Sequence, residues 1–255
     1  MDIYLNETFP SPSPMSEVLS SVHKPVLKAD ILRYALLLRD GGIYTDIDTS
    51  AVRPFKDWGT INTLDLVSKR FATPIFSDLS SRNTLILIIQ TDDMLSALPL
   101  YLEGSSTFQS SPPGIIVSLE STGIDSEWKR KTFVRGIQIV QWTMAAKSCH
   151  PIFIDALAHV VKKYQEAIKQ GTANSDTLDI LDWTGPGTFT DAVLRYLVAR
   201  HGIHPRQIAD LGRPARIGDL LILPAESFAA WASEEPKGDQ HAVWHGFFGS
   251  WKAEA

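Results

Sequence analysis

Two consecutive glycines, Gly41 and Gly42, divide a stretch of helical periodicity from a stretch of strand periodicity, and this junction constrains the fold more than any other part of the 255-residue chain. Upstream, residues 27–39 carry Ile31, Leu32, Ala35, Leu36 and Leu38 at the spacing of one helix face. The glycines stop that helix, as residues just past a helix C-terminus commonly do. Downstream, residues 43–48 read as a short buried strand, and Arg53-Pro54 closes the segment. A side-chain period of two puts Tyr44, Asp46 and Asp48 on one face and Ile43, Thr45 and Ile47 on the other.

The other elements follow from similar signals. Residues 1–26, with Pro10, Pro12 and Pro14 alternating among serines, read as an exposed lead-in. Residues 59–113 carry the weakest signals: 85–90 has strand composition and 105–113 has loop composition. Residues 115–119 predict a strand that ends at Glu120, and 134–146 predict a helix. A second helix starts at Pro151 and runs to about Lys169, with Ile152, Ile154, Leu157, Val160, Val161 and Tyr164 as core positions. Thr188 caps a third helix reaching about Arg200, with Asp191 three residues on in a capping-box-like arrangement. Residues 220–223 form a strand ended by Pro224, and an aromatic cluster spans 244–251. Helices alternating with short β-rich runs predict a single α/β layered domain without internal repeats.

Composition narrows the function. A net charge of −5 gives no electrostatic reason to expect nucleic acid. One cysteine, Cys149, rules out a disulfide within the chain. The longest apolar run, near residues 85–89, is far too short to span a bilayer, and the N-terminus lacks the basic start and apolar core of a signal peptide.

Asp46 and Asp48 carry the clearest chemistry. Two carboxylates on one face of a strand end can share a hard divalent cation such as Mn²⁺ or Mg²⁺, which in turn neutralises a diphosphate leaving group. By itself such a pair is more often a turn with two solvated acids. A calcium loop starting at Asp46 needs glycine at its sixth position and glutamate at its twelfth, where Ala51 and Asp57 stand, so that motif fails. A haloacid dehalogenase-type phosphatase remains as an outside alternative, with Ser50 at the fifth position and Gly218-Asp219 as a weak second acidic motif.

The context of the pair is more specific. The run KADILRYALLLRDGGIYTDIDTSAVRP (28–54) resembles glycosyltransferase family 32, the family of the fungal initiation-specific α-1,6-mannosyltransferases. Its hallmark is an R/K-A-D-x-x-R-Y helix followed by G-G-I/V-Y-x-D-x-D. Three further segments match in the expected order: GIQIVQWTMAAKSCHP (136–151), DWTGPGTFTDAV (182–193) and VWHGFFGSWK (243–252). The resemblance implies a GT-A-type α/β fold, a GDP-mannose donor, Mn²⁺ (or Mg²⁺), a glycan or glycoprotein acceptor, a Golgi setting and retention of anomeric configuration.

The resemblance also assigns roles. Asp30 and Arg33 share a helix face at i,i+3. Asp30 is expected to accept hydrogen bonds from sugar hydroxyls and Arg33 to pair with phosphate or sugar oxygens; the alternative is a surface ion pair worth under about 1 kcal/mol. Asp46 and Asp48 are expected to bind the metal with His245 as third ligand, although a lone histidine among aromatics is also a common core residue. Asp30, Arg33 and Asp48 form the expected catalytic set. Gly42 and Tyr44 are expected to line the donor site; a simple helix stop and a packed tyrosine are equally consistent with them. Ser250 and Trp251 are expected to contact the diphosphate. Trp183 to Gly187 reads either as a substrate-side loop or as a helix entry, and His150-Pro151 as structural.

Two departures from the family pattern stand out. Only 27 residues precede Lys28, and they do not resemble the family's opening strand-helix segment, which predicts a GT-A-like domain over 27–255 lacking that segment. Residues about 60–113 read as a poorly packed insertion. Both raise an inactive family member as the competing reading.

Overall fold

The computed structural model describes residues 1–66, 112–122, 133–171, 179–229 and 238–246. The expected strand at 85–90 and almost all of the expected insertion lie outside them, as do Ser250 and Trp251.

A seven-stranded mixed sheet forms the centre. Its strands are β1 (Gly42–Thr45), β3 (Leu64–Asp65), β4 (Ile115–Ser121), β5 (Gln138–Ile139), β6 (Thr143–Ala146), β7 (Ala215–Ile217) and β8 (Leu220–Leu223). The order is β1-β6-β4-β8-β7-β3, with β5 paired to β4 off this path. The middle pair, β4 and β8, is parallel, and both strands are near-continuous apolar runs, the pattern of strands covered on two faces. Their side chains divide by period two. Ile115, Val117, Leu119, Leu220 and Ile222 enter the main core, whereas Ile116, Leu221 and Leu223 enter a smaller one. Helices α3 (Pro25–Arg39), α4 (Pro151–Lys169) and α6 (Pro186–Tyr196) contribute to the main core. The smaller core joins the other sheet face to a three-stranded sheet of β2 (Thr49–Ala51), β9 (Phe228–Ala229) and β10 (Val243–His245), in the order β2-β10-β9. This mixed α/β arrangement with a central sheet is consistent with a GT-A-like fold.

Several expectations are corrected. The Pro/Ser-rich start is folded: α1 (Asp2–Thr8) and α2 (Pro14–Ser21) bury Leu5, Met15, Val18 and Leu19 in the main core. Ser13 caps α2 in a reciprocal box with Ser16, and Pro14 occupies the first turn, so the Pro/Ser composition here is a helix start. Residues 134–146 form no helix. Ile137, Ile139 and Met144 face the main core while Val140, Trp142 and Ala145 face the smaller one, because β5 and β6 are covered on both sides. In α4 the buried stripe is Ile152, Phe153, Ala156, Leu157 and Val160, and Ile154 points outward at 54% exposure. Helix α6 starts at Pro186 with Gly185 as its cap; the Thr188 hydroxyl donates instead to the carbonyls of Asp182 and Trp183. Asp191, the expected box partner, accepts from Arg135. The strand after the glycines is an edge strand, with Ile43 at 50% exposure, so the expected burial of 43–48 does not hold. Its alternation does: Tyr44, Asp46 and Asp48 are partly covered while Ile43, Thr45 and Ile47 are exposed.

The Gly218-Asp219 turn between β7 and β8 clasps the far end of the sheet. Asp219 accepts from the Tyr196 hydroxyl at 2.9 and 3.0 Å, with His150 Nε2 at 3.3 Å and His201 Nε2 at 3.5 Å. Its backbone carbonyl accepts from Gly114 and Ile115 N–H, at the start of β4. The His150 and His201 contacts hold the Asp219 carboxyl well below its ordinary range. A carboxyl depressed in the folded state adds stability above its unfolded pKa of about 3.9, and that contribution is lost as pH falls toward the native value. Asp219 is partly exposed, so we expect Asp219→Asn to cost only about 1 kcal/mol at neutral pH, a lowering of Tm of roughly 2–4 °C. Thermal melts from pH 7 to pH 2 check this: the gap between variant and parent should hold down to about pH 4 and narrow below it.

Candidate functional site

The site is built where the two sheets meet. Gly41 and Gly42 both take left-handed conformations, φ +70° and +96°, to turn the chain from α3 into β1. At Gly41 the space is closed as well, since a Cβ would meet the Ser148 nitrogen at 2.6 Å. At Gly42 a Cβ would meet nothing within 4 Å, so only its φ demands glycine. Strand β1 runs antiparallel to β6, and the Asp46 N–H extends that ladder to the Trp142 carbonyl at 2.8 Å. The chain then turns at Asp46, whose carbonyl accepts from the Thr49 hydroxyl at 2.7 Å, and enters β2 of the small sheet. There Thr49 pairs with His245 across the β2-β10 ladder, and Gly246 N–H donates to the Asp48 carbonyl at 2.7 Å. The aspartates thus sit on the strap between the sheets, while Ile47 between them is fully exposed.

This strap brings Asp46, Asp48 and His245 together, with one ligand atom from each lying within 4.8 Å of the others. His245 Nε2 is 3.1 Å from Asp48 Oδ1. The His245 ring stacks on Trp142 with centroids 4.3 Å apart and planes 16° from parallel. Burial pushes the His245 pKa down, against the pull of Asp48 and Asp46, and so favours the neutral imidazole that binds metals. Two carboxylates and an imidazole form a donor set suited to Mn²⁺ or Mg²⁺.

Behind the strap, α3 delivers Asp30 and Arg33. The alternative of a surface ion pair does not hold: the two residues are 3% and 6% exposed. Arg33 Nη2 lies 3.1 Å from Asp30 Oδ1 and 3.4 Å from Asp46 Oδ1, and Nη1 donates to the Gln141 carbonyl at 3.4 Å. Tyr44 completes the bridge, its hydroxyl donating to Asp46 Oδ1 at 2.8 Å and its ring lying 5.1 Å beneath the Arg33 guanidinium carbon. Burial would lower the Arg33 pKa, but Asp30 first, with help from Tyr44 and Asp46, raises it above the ordinary value. Burial pushes Asp30 up, against the pull of Arg33 and the Thr184 hydroxyl. That hydroxyl donates to Asp30 Oδ2 at 2.7 Å. Both carboxylate oxygens of Asp30 are therefore engaged, and the expected contact with a sugar hydroxyl requires one of these bonds to be exchanged.

Six expected residues thus converge: Asp30, Arg33, Tyr44, Asp46, Asp48 and His245. The motif reading passed over the polar groups that hold them. Gln141 Nε2 donates to the Tyr34 hydroxyl at 2.6 Å and to the Thr184 carbonyl at 3.1 Å, and Tyr34 donates to the same carbonyl at 2.9 Å. This lattice ties the Trp183 to Gly187 loop to α3. At Gly185 a Cβ would meet the Leu181 Cα at 2.8 Å. The available signal was a glutamine inside an apolar run, since a buried amide needs partners. Asp219 lies beside Gly114 at the start of β4, whereas Thr45 and Trp142 lie at the other end of the β1-β6 ladder. The phosphatase alternative therefore lacks its second acidic group at Asp46 and Asp48.

Residues 3–65 match the family described as the glycosyltransferase sugar-binding region containing the DXD motif. The match begins within α1 and includes α2, ahead of the motifs quoted above. The initiation-specific α-1,6-mannosyltransferase of Schizosaccharomyces pombe is 28% identical, covering 95% of this chain and 51% of the relative. That of Candida albicans is 26% identical, covering 98% of this chain and 60% of the relative. That of Saccharomyces cerevisiae is 27% identical, covering 68% and 40% respectively. The chain spans about half the length of the curated relatives it matches. The likeness to the fungal branch of glycosyltransferase family 32 stands on these matches together with the four motifs.

The burial of Asp30 and Arg33 makes a stability prediction. Arg33→Met leaves the Asp30 carboxylate buried without its cation, and we expect a loss of about 3–5 kcal/mol. Chemical denaturation checks this, and the double variant with Asp30→Asn should recover a substantial part of the loss.

Proposed function

We propose that this relative of the family-32 glycosyltransferases is a metal-dependent, retaining transferase that moves mannose from GDP-mannose to a glycan hydroxyl. The observation that carries the reading is the meeting of Asp46, Asp48 and His245 within 4.8 Å, directly beside a buried arginine. The names of the relatives support mannose transfer and α-1,6 linkage. GDP as the nucleotide, initiation of N-glycan outer chains and a Golgi setting extend the same reading. Among the described residues no helix is long and apolar enough to cross a membrane.

Asp46, Asp48 and His245 would hold Mn²⁺ or Mg²⁺, which supplies positive charge for the diphosphate as it departs. Arg33 faces the same strap and offers guanidinium N–H groups to a phosphate or sugar oxygen. Asp30 acts through Arg33, fixing the guanidinium so that little reorganisation is needed when charge develops. Tyr44 braces Arg33 and Asp46 from the other side. In the transfer, the bond between the anomeric carbon and the phosphate oxygen breaks and a bond to the acceptor oxygen forms on the same face. The acceptor proton passes to the leaving phosphate. No enzyme nucleophile is assigned.

The test is GDP release from GDP-mannose with a mannose-terminated glycan as acceptor. Release should require Mn²⁺ or Mg²⁺, stop with EDTA, and fall at least about 100-fold in Asp48→Ala, the scale expected when several kcal/mol of leaving-group stabilisation are lost. Equal turnover in parent and variant would remove the metal role. Metal-dependent binding of GDP-mannose without GDP release would identify the inactive member instead.

A further inference from the structure

Glu120 is a carboxylate at the end of β4 that neither the motifs nor the proposed chemistry uses. Its Oε2 accepts from Gln138 Nε2 at 2.7 Å and its Oε1 from the Trp142 indole N–H at 3.3 Å. Burial pushes its carboxyl above the ordinary range, against these two hydrogen bonds from uncharged donors.

The orientation of both donors is fixed. The indole N–H can only donate. The Gln138 amide cannot turn over freely, because its Oε1 already accepts from Val134 N–H at 3.0 Å and Arg135 N–H at 3.2 Å. Position 120 is therefore faced by two N–H groups and needs an acceptor on each side. Ionised glutamate meets that need. A glutamine at the same place sets its own NH₂ against one of the two donors.

What Glu120 holds is the part of the structure that meets both ends of the metal site. The Trp142 carbonyl accepts from Asp46 N–H, and the Trp142 ring carries His245. We infer that Glu120 is a positioning residue that anchors the Trp142 indole so that the His245 imidazole stands ready to share a divalent cation with Asp46 and Asp48. The inference rests on the metal reading above and acts through Trp142, without contact to the cation. Partners that orient ligands in this way commonly change metal affinity about 10–100-fold when removed.

The test uses Mn²⁺ alone, titrated into the 255-residue chain and followed by the EPR signal of the free ion. Asp48→Ala serves as the reference for loss of the site. Glu120→Gln should weaken Mn²⁺ binding about tenfold, with melting and circular dichroism showing a folded protein. Trp142→Phe keeps a ring beneath His245 and lacks the N–H, so it should weaken binding to a similar degree. In that background Glu120→Gln should add less than about twofold, because the tether is already gone. Parent-like affinity in Glu120→Gln, or losses that multiply across the pair, would overturn the inference while leaving the metal site intact. Should Glu120→Gln not fold, parent-like affinity in Trp142→Phe overturns it equally. Failure of the underlying reading looks different: Asp48→Ala would then bind Mn²⁺ like the parent, or the parent would not bind it.

Discussion

The ion pair between Asp30 and Arg33 is the interaction on which the site depends. Taking two charges out of water is costly, and attraction offsets the cost only with good geometry and with the remaining hydrogen-bonding groups satisfied. Here the groups that answer the pair come from distant parts of the chain, the Thr184 hydroxyl, the Gln141 carbonyl and the Asp46 carboxylate, while Arg33 Nε has no partner among the described residues. Each is thereby tied to one helix. Removing the pair would release the loop after α5 (Ile180–Trp183), the link between β5 and β6 and the strap between the sheets together. The charges are poor value as a source of stability, and their use lies in fixing an arrangement that apolar packing would leave looser.

The second constraint is the strap itself. Four residues, Asp46 to Thr49, pass from the large sheet to the small one, and both of its ends are ladder positions. Register in a strand is strict, because a slip of one residue moves every side chain to the other face. A slip in either sheet would turn Asp46 or Asp48 outward, where Ile47 now points. The two sheets therefore act as one positioning device, with Trp142 as their contact: its carbonyl ends one ladder and its ring meets a residue of the other.

This explains what the sequence disclosed. Helix α3, the glycine turn and the alternation of Tyr44, Asp46 and Asp48 are local consequences of periodicity and backbone freedom, and they were legible. The partnership of Asp48 with His245 spans 197 positions and follows from no local pattern; only the family motif pointed to it. The segment 134–146 reads as a helix because strands covered on both faces lose their alternation, and a continuous apolar run fits a buried helix as well. The N-terminal helices are hidden in the sequence for a different reason. Proline and serine signal loops on average, but Ser13-Pro14 is also a strong helix start, and the short helix it opens places Met15, Val18 and Leu19 inward.

Charge balance gives the final step. Two carboxylates, Asp30 and Asp46, stand against the guanidinium of Arg33, and a third, Asp48, lies near Asp46 and against His245. Burial disfavours a positive charge on His245 and pushes Tyr44 further from ionisation. Carboxylates crowded in a partly desolvated place repel one another more strongly than in water. A divalent cation would offset this repulsion and also fits two oxygens and a nitrogen. On the proposed reading the same repulsion disfavours a bare diphosphate, so the anion's binding would be coupled to the cation's. Metal and nucleotide should each raise the other's affinity by the same factor, as linkage requires.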